Sequence, residues 1–401
     1  MKLKRLTALL LSVMMVLSLA ACGGGGDTKD DSASGDLSGK TIIIGNITPV
    51  TGAQAAYGLA ITNSIQLAID EINADGGILG ATVKLSTKDD QGTPAEAVSG
   101  FNSLLSEGAS AIIGATLSSC TSAITSLADD EGIVLVTPSS TADSITTKDD
   151  YVFRSCFKDS FQGEMVAAYA KDQGWTKAAV LYATGDTYSS GLHDSFVKAA
   201  EKYGIEIVCE QSSSDTGAVD FSSQLATIAA SGADMLFAPY YYDAVGPKII
   251  PQAREAGFKG AIMGCDGFDG IDTSVKDFDI HTVTQRVSML SHFFSGSSDE
   301  KVQSFVSAYK NKYGSTPIQF AASAYDSVYA MYEAVKTARA EGKEISYTTA
   351  ADELGRTLSE IFRSETFTFS GVTTAGGTAT WSAGGTVNKR AEIVVIKEAD
   401  A

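Results

Sequence analysis

From Thr41 onward, short β-branched runs alternate with longer amphipathic runs, and this alternation constrains the fold more than any other feature of the chain. TIIIGNI, ATVKLST, SAIIGA and GIVLVTP read as buried strands. After the first of them, Ile61, Ile65, Ala68, Ile69 and Ile72 fall on one face of a helix that closes at Ala74-Asp75-Gly76-Gly77. Thr93-Pro94 is the expected cap and first-turn pair of the next helix. A second series, YVFRSC, KAAVLYA, IEIVCE, ADMLFAP and AIMGC, repeats the arrangement. Strands alternating with helices imply parallel sheets with right-handed crossovers, so two series imply two doubly wound α/β lobes. The pattern then changes: 299–313, 320–341 and 349–361 read as helices, followed by short strands through FTFSG, GTATW and EIVVIK. This late block is expected to return the chain to the first lobe. Several crossings between lobes make a hinge, and a hinge implies a cleft that closes on a ligand.

The first 39 residues obey other rules. Lys2, Lys4 and Arg5 precede an apolar run from Leu6 to Leu19, which describes an export signal over residues 1–21 rather than a spanning helix. Leu19-Ala20-Ala21-Cys22 resembles the lipobox of bacterial lipoproteins, and that resemblance makes Cys22 the acylated first residue after cleavage. Residues 22–39 then form a lipidated linker, whose Gly- and Asp-rich stretch gives a flexible leash of about 20–25 Å. The expected location is the cell envelope, on the outer face of the cytoplasmic membrane, or its periplasmic side if an outer membrane exists. The net charge of −18 becomes still more negative when the basic leader is removed. A chain this acidic is repelled by phosphate backbones, which excludes a general nucleic-acid binder. Cys120, Cys156, Cys209 and Cys265 are too scattered for a disulfide framework, and their pairing cannot be read from sequence.

The search for catalytic chemistry finds no complete constellation. His193, His281 and His292 lack metal-ligand spacing, and no GxSxG elbow occurs. Ser155-Cys156-Phe157-Lys158 matches SxxK without the SDN and KTG elements that go with it. Asp266, Asp269 and Asp272 crowd one loop but miss the spacing of a calcium loop. The expectation is therefore a protein that is not an enzyme and takes no cofactor or metal. What remains are polar and aromatic residues at the C-terminal ends of predicted strands, where open α/β sheets bind ligands. They are Thr116-Leu117-Ser118-Ser119, Ser139-Ser140-Thr141, Tyr240-Tyr241-Tyr242 and Asp266. Taken singly, each reads equally well as a helix cap or a turn. Together they lie on one kind of strand edge, which points to a binding site.

From about Lys40 to its end the chain resembles the branched-chain amino-acid substrate-binding proteins of ABC transporters. GNITPVTGAQAAYG, DEINADGGILG, TKDDQGTP, IIGATLSS, GIVLVTPSST, YSSGL, AREAG, IMGCDG and AASAYDSVY carry the resemblance, in this order and spacing. It implies a type I periplasmic binding protein fold: two doubly wound, Rossmann-like lobes joined by a multi-strand hinge. Residues 40–158 and 292–388 would form the first lobe, and 159–291 with 389–401 the second. The resemblance places the ligand carboxylate on Ser118 and the Thr141 N–H. It places the ammonium on the Ser139 carbonyl, the Thr141 hydroxyl and Asp266, with Tyr57, Tyr188, Tyr241 and Phe320 as aromatic walls. The partners it implies are an amino acid, most naturally branched-chain or otherwise hydrophobic, and the permease subunits of an ABC transporter, with the binding protein a monomer. Two features depart from the pattern. Asp266 stands where leucine binders commonly carry Glu, and Gly92 and Leu117 occupy the places of a frequent small disulfide. A small amide, urea or aromatic acid as ligand, or a sensory role for the same fold, are the alternatives.

Overall fold

The computed structural model describes residues 37–146, 151–272, 274–275, 278–345, 351–374 and 376–399. The expected export signal, Cys22 and nearly all of the linker lie outside these residues. The first sheet consists of β1 (Thr41–Thr48), β2 (Thr82–Asp89), β3 (Ala111–Gly114), β4 (Leu135–Thr137) and β5 (Val152–Arg154). Its order is β2-β1-β3-β4-β5, with every pairing parallel. Parallel neighbours require crossovers, and α1 (Ala55–Ala74), α2 (Pro94–Ser106), α3 (Ser118–Ser122) and α4 (Thr125–Glu131) lie in them.

The local sequence explains these elements. Ile61, Ile65, Ala68, Ile69 and Ile72 of α1 are all buried in the core, each isoleucine contributing about 1.5–3 kcal/mol of burial. Gly58 lets α1 start directly against the end of β1, because a Cβ there would lie 1.9 Å from the Pro49 carbonyl oxygen. Thr93 caps α2 by accepting from the Glu96 N–H, with Pro94 in the first turn.

The second sheet contains β6 (Lys177–Ala183), β7 (Glu206–Ser213), β8 (Met235–Phe237), β9 (Ala261–Met263), β10 (Val287–Ser291) and β11 (Glu392–Lys397). Its order is β11-β10-β9-β8-β6-β7, parallel throughout except for β11, which runs antiparallel to β10. α5 (Asp159–Asp172) leads into it from the first sheet, and α6 (Thr187–Tyr203), α7 (Ser222–Ala230) and α8 (Ile250–Glu255) lie between its strands.

The strands depart from the sequence expectation in three places. YVFRSC, grouped with the second series by pattern although the resemblance assigns residues 40–158 to the first lobe, supplies β5 and pairs with β4 in the first sheet, Leu135 opposite Val152. A buried parallel strand carries the same apolar signal in either sheet, so its partner is not written locally. Val287–Ser291 is a strand that the pattern reading passed over. FTFSG and GTATW form only single bridges, Phe369 with Ala379 and Trp381 with Val387, while Thr386 pairs with Arg154 at the edge of the first sheet.

The late helices are α9 (Glu300–Tyr313), α10 (Gln319–Ala340) and α11 (Ala351–Phe362). These helices return to the first sheet as the late block implied, whereas EIVVIK, the last strand of that block, pairs with β10 in the second sheet. The Phe153 and Phe362 rings sit 4.9 Å apart, and the Trp381 indole donates to the Arg154 carbonyl at 3.0 Å. The chain thus crosses between sheets after Arg154, after Ser291 and before Glu392. Ser323 of α10 gathers these crossings. Its hydroxyl donates to the Ser155 carbonyl at 3.0 Å and pairs with His292 Nε2 at 2.5 Å. Lys389 Nζ donates to the same Ser155 carbonyl at 2.5 Å.

Candidate functional site

The C-terminal ends of β1, β3 and β4 face those of β8 and β9 across a narrow cavity. Tyr57, Ser118, Ser139, Tyr188, Tyr241, Asp266 and Phe320 line it, together with Thr116, Leu117 and Gly267. Seven of the eight residues expected at the ligand site therefore meet in one place. The eighth, Thr141, stands directly behind Ser118, its N–H donating to Ser118 Oγ at 3.2 Å. The accessible space is about 10 Å³, roughly what one ordered water needs. A ligand of amino-acid size would enter only if the lobes parted.

On the first-lobe side, short loops after β3 and β4 carry the hydroxyls. Ser118 Oγ also accepts from the Ala142 N–H at 3.3 Å, and Ser139 Oγ donates to the Thr116 carbonyl at 2.7 Å. Thr121 and Ser140 hydroxyls lie 2.6 Å apart beneath them, which ties the two loops together. The Thr141 N–H is thus engaged with Ser118 in this closed arrangement, and a carboxylate would compete for it.

On the second-lobe side, Asp266 follows β9 and is held from two directions. Gln162 Nε2 and the Tyr188 hydroxyl both donate to its Oδ1, at 3.1 and 2.9 Å. Gln162 Oε1 accepts from the Asp266 N–H at 3.1 Å. Burial pushes the Asp266 carboxyl up to about 6, against the pull of the Gln162 and Tyr188 bonds. Tyr188, expected as a wall, thus also orients the acid. Its ring stacks on Tyr241 with centroids 4.9 Å apart, while Tyr57 and Phe320 meet edge to face at 4.9 Å.

Two residues of this site escaped the sequence reading. Gln162 is fully buried beneath Asp266. Asp159, in the first turn of α5, is 2% exposed, and neither of its carboxyl oxygens makes a hydrogen bond. Burial raises its carboxyl well above the usual range and the Asp266 charge raises it further, whereas the nearby Thr141 hydroxyl works the other way. An Asp in a first helical turn is commonplace, so its sequence position carries no signal. Asp266 Oδ2 and the Thr141 hydroxyl are likewise buried without a partner. Apart from the Thr141 hydroxyl beside Asp159, these four oxygens on three neighbouring residues have no donor at hand, which is costly unless something supplies one.

Other places answer less well. A larger hollow of about 890 Å³ between α1, α9 and α10 is lined by Glu71, Phe305, Tyr325 and Tyr329, but the Tyr325 and Tyr329 hydroxyls already satisfy Glu71. Among the described residues no group of His, Cys, Asp and Glu could hold a metal ion. Cys120, Cys156, Cys209 and Cys265 are all free thiols. No described helix is long and apolar enough to cross a membrane.

The model of the periplasmic binding protein family matches residues 41–398. The chain belongs to this family. Its fold is that of the type I periplasmic binding proteins, with two α/β lobes built on largely parallel sheets. Leu/Ile/Val-binding protein homolog 3 of Brucella melitensis is 31% identical over 233 residues, which are 58% of this chain and 62% of that protein. The chain thus spans less than two thirds of that relative's length. The crystal structure of the branched-chain amino acid transporter substrate binding protein LivJ from Streptococcus pneumoniae, in complex with isoleucine, matches with a TM-score of 0.77. The two are 31% identical, over 89% of this chain and 97% of that one. A solute binding protein of an ABC transporter from Rhodopseudomonas palustris, in complex with 3,4-dihydroxy benzoic acid, matches with a TM-score of 0.75 over 90% of this chain and 94% of that one. At 20% identity it shares the fold alone.

Proposed function

We propose that this periplasmic binding protein captures a branched-chain or other hydrophobic amino acid between its lobes and delivers it to the permease subunits of an ABC transporter. The observation that carries the reading is the set of unpartnered oxygens on Thr141, Asp159 and Asp266. An ammonium group brings three donors and a positive charge to such a set. Ser118 Oγ and the Thr141 N–H lie beside it as donors for the carboxylate, and Tyr57, Tyr241 and Phe320 offer apolar surface to the side chain. Residues 40–158 and 292–388 act as one lobe, 159–291 and 389–401 as the other. Ser118 and Thr141 then belong to the first and Asp266 to the second, so a bound ligand favours the closed state by touching both. The names of the relatives and the isoleucine bound in the Streptococcus protein support the ligand class. The Leu-Ala-Ala-Cys sequence supports lipid anchoring through Cys22 on the outer side of the cytoplasmic membrane. The protein acts as a monomer, by binding and release without covalent change to the ligand.

Calorimetric titration with leucine, isoleucine and valine, after unfolding and refolding to strip any co-purified ligand, tests the reading. Tight binding that disappears in Asp266→Ala and Thr141→Ala supports it, and undiminished affinity in both variants overturns it. Removing one partner of a buried charge should cost about 3–5 kcal/mol. A second reading, an amine-free aromatic acid, draws on the Tyr188–Tyr241 stack and on the ease with which Asp266 is protonated. Benzoate separates the two: its binding in place of leucine would favour the aromatic acid.

A further inference from the structure

Arg154 is the last residue of β5, and none of its surface reaches solvent. A buried guanidinium is costly and is usually paired with a carboxylate, but among the described residues Arg154 makes no ion pair. It spends its donors on neutral oxygens instead. Nη1 donates to the Ser140 carbonyl at 3.1 Å and to the Phe157 carbonyl at 3.3 Å. Nη2 donates to the Ala142 carbonyl at 2.7 Å, and Nε to the Thr146 hydroxyl at 2.9 Å. The backbone beneath is moored on both sides. The Arg154 N–H donates to the Gly385 carbonyl at 2.9 Å, and its carbonyl accepts from the Trp381 indole at 3.0 Å.

Two of the three carbonyls it holds, those of Ser140 and Ala142, lie on either side of Thr141. The Ser140 carbonyl and the Thr141 N–H are the two ends of one peptide group, and in a planar trans peptide they point in opposite directions. Drawing the carbonyl onto the guanidinium turns the N–H away from Arg154 and toward Ser118 Oγ, which it meets at 3.2 Å. The Cys156 thiol donates to the same carbonyl at 3.3 Å and reinforces the orientation. A charged donor on the oxygen also polarises the amide, which makes its N–H a stronger donor to an anion.

We infer that Arg154 is a positioning residue for the carboxylate end of the ligand, aiming and polarising the Thr141 N–H through the Ser140–Thr141 peptide. The inference rests on the amino-acid reading of the site. Lysine cannot reproduce it, because one ammonium lacks the planar fork that reaches both flanking carbonyls.

The test compares leucine with leucinol, which keeps the ammonium and side chain but has no carboxylate. The unsubstituted protein should bind leucine more tightly than leucinol. In Arg154→Lys and Arg154→Gln, leucine affinity should fall about 10- to 100-fold while leucinol affinity stays within about threefold, so that the preference collapses. An unchanged leucine-to-leucinol ratio overturns the inference, even if both affinities drop together, since general loosening would weaken both. Should both variants fail to fold, the unsubstituted protein still decides. The Thr141 amide proton resonance should move downfield with leucine and not with leucinol, and equal movement with both overturns the proposal. Binding of neither compound to the unsubstituted protein would overturn the amino-acid reading itself, and this inference with it.

Discussion

The Tyr57 hydroxyl reaches across the cleft and donates to the Gly267 carbonyl at 2.6 Å, a bond that parting of the cleft would break. The same hydroxyl accepts from the Tyr242 N–H at 3.4 Å, and Gly267 in turn donates to the Tyr188 hydroxyl at 2.8 Å. One phenol thus links α1 to two loops of the second sheet. Tyr57→Phe leaves the Gly267 carbonyl buried without its donor, at a cost of about 1–3 kcal/mol to the closed state. Leucine affinity should fall about 5- to 150-fold with little change in the unfolding of the ligand-free protein, as read by calorimetric titration and thermal denaturation. Unaltered affinity would mean that this bond is not part of ligand-linked closure.

On the proposed reading, the ligand ammonium pairs with an ionised Asp266. Burial lifts its carboxyl from 3.8 to about 6 in the closed protein, and opening the cleft rehydrates it and lowers that value. Leucine affinity should therefore be flat above about pH 6 and weaken as pH falls through the range from 6 to 4, by at most about tenfold per pH unit. Asp266→Asn should bind weakly and lose this component of the pH dependence. Titrations at a series of pH values read both effects.

Asp269 Oδ2 accepts from the Gln319 N–H at the start of α10, at 2.7 Å, and so joins a second-sheet loop to a first-lobe helix. Burial raises this carboxyl from 3.8 to about 7, opposed by the Gln319 N–H and helped by the Asp272 charge. The folded protein holds this proton more tightly than the unfolded chain does. The contribution to stability is therefore complete below about pH 4 and lost as pH rises through about 7. The Tm of ligand-free protein should fall between pH 5 and pH 8, and Asp269→Asn should flatten that decline.

In most helices a glycine-to-alanine exchange stabilises by about 0.5–1 kcal/mol. Gly58→Ala should do the opposite, because the new Cβ would lie 1.9 Å from the Pro49 carbonyl oxygen and 2.9 Å from Thr48 Oγ1. The start of α1 must then move off β1, and Tyr57 moves with it. Both Tm and leucine affinity should drop, whereas an unchanged Tm would mean that the helix start yields freely.

Much of the site was legible because strand ends and loops of this fold carry their chemistry in short local stretches. Ser118, Ser139, Tyr241 and Asp266 each follow a short apolar run that reads as a strand, and the resemblance to known binding proteins added Tyr57, Tyr188 and Phe320. Asp159 and Gln162 carry no such mark. Both sit early in α5, where an acidic or amide side chain is ordinary, and only the packing of α5 against Asp266 and Thr141 makes them part of the site. Arg154 is similar: in sequence it ends a strand, and in space it fastens the peptide that carries the Thr141 N–H.

The alternation of strands and helices, the buried face of α1, the cap at Thr93 and the short polar loops after β3, β4 and β9 are all written in the local sequence. These follow from periodicity and turn chemistry within a dozen residues. Folding alone settles that three crossings meet at Ser323 and which buried oxygens go unpartnered, while the lobes of YVFRSC and EIVVIK were given by the resemblance and not by the strand pattern. Strand pairing and burial depend on residues far apart in the chain. A carboxyl such as Asp159 is a surface charge or a buried ligand contact according to what folds over it, and no local pattern records that.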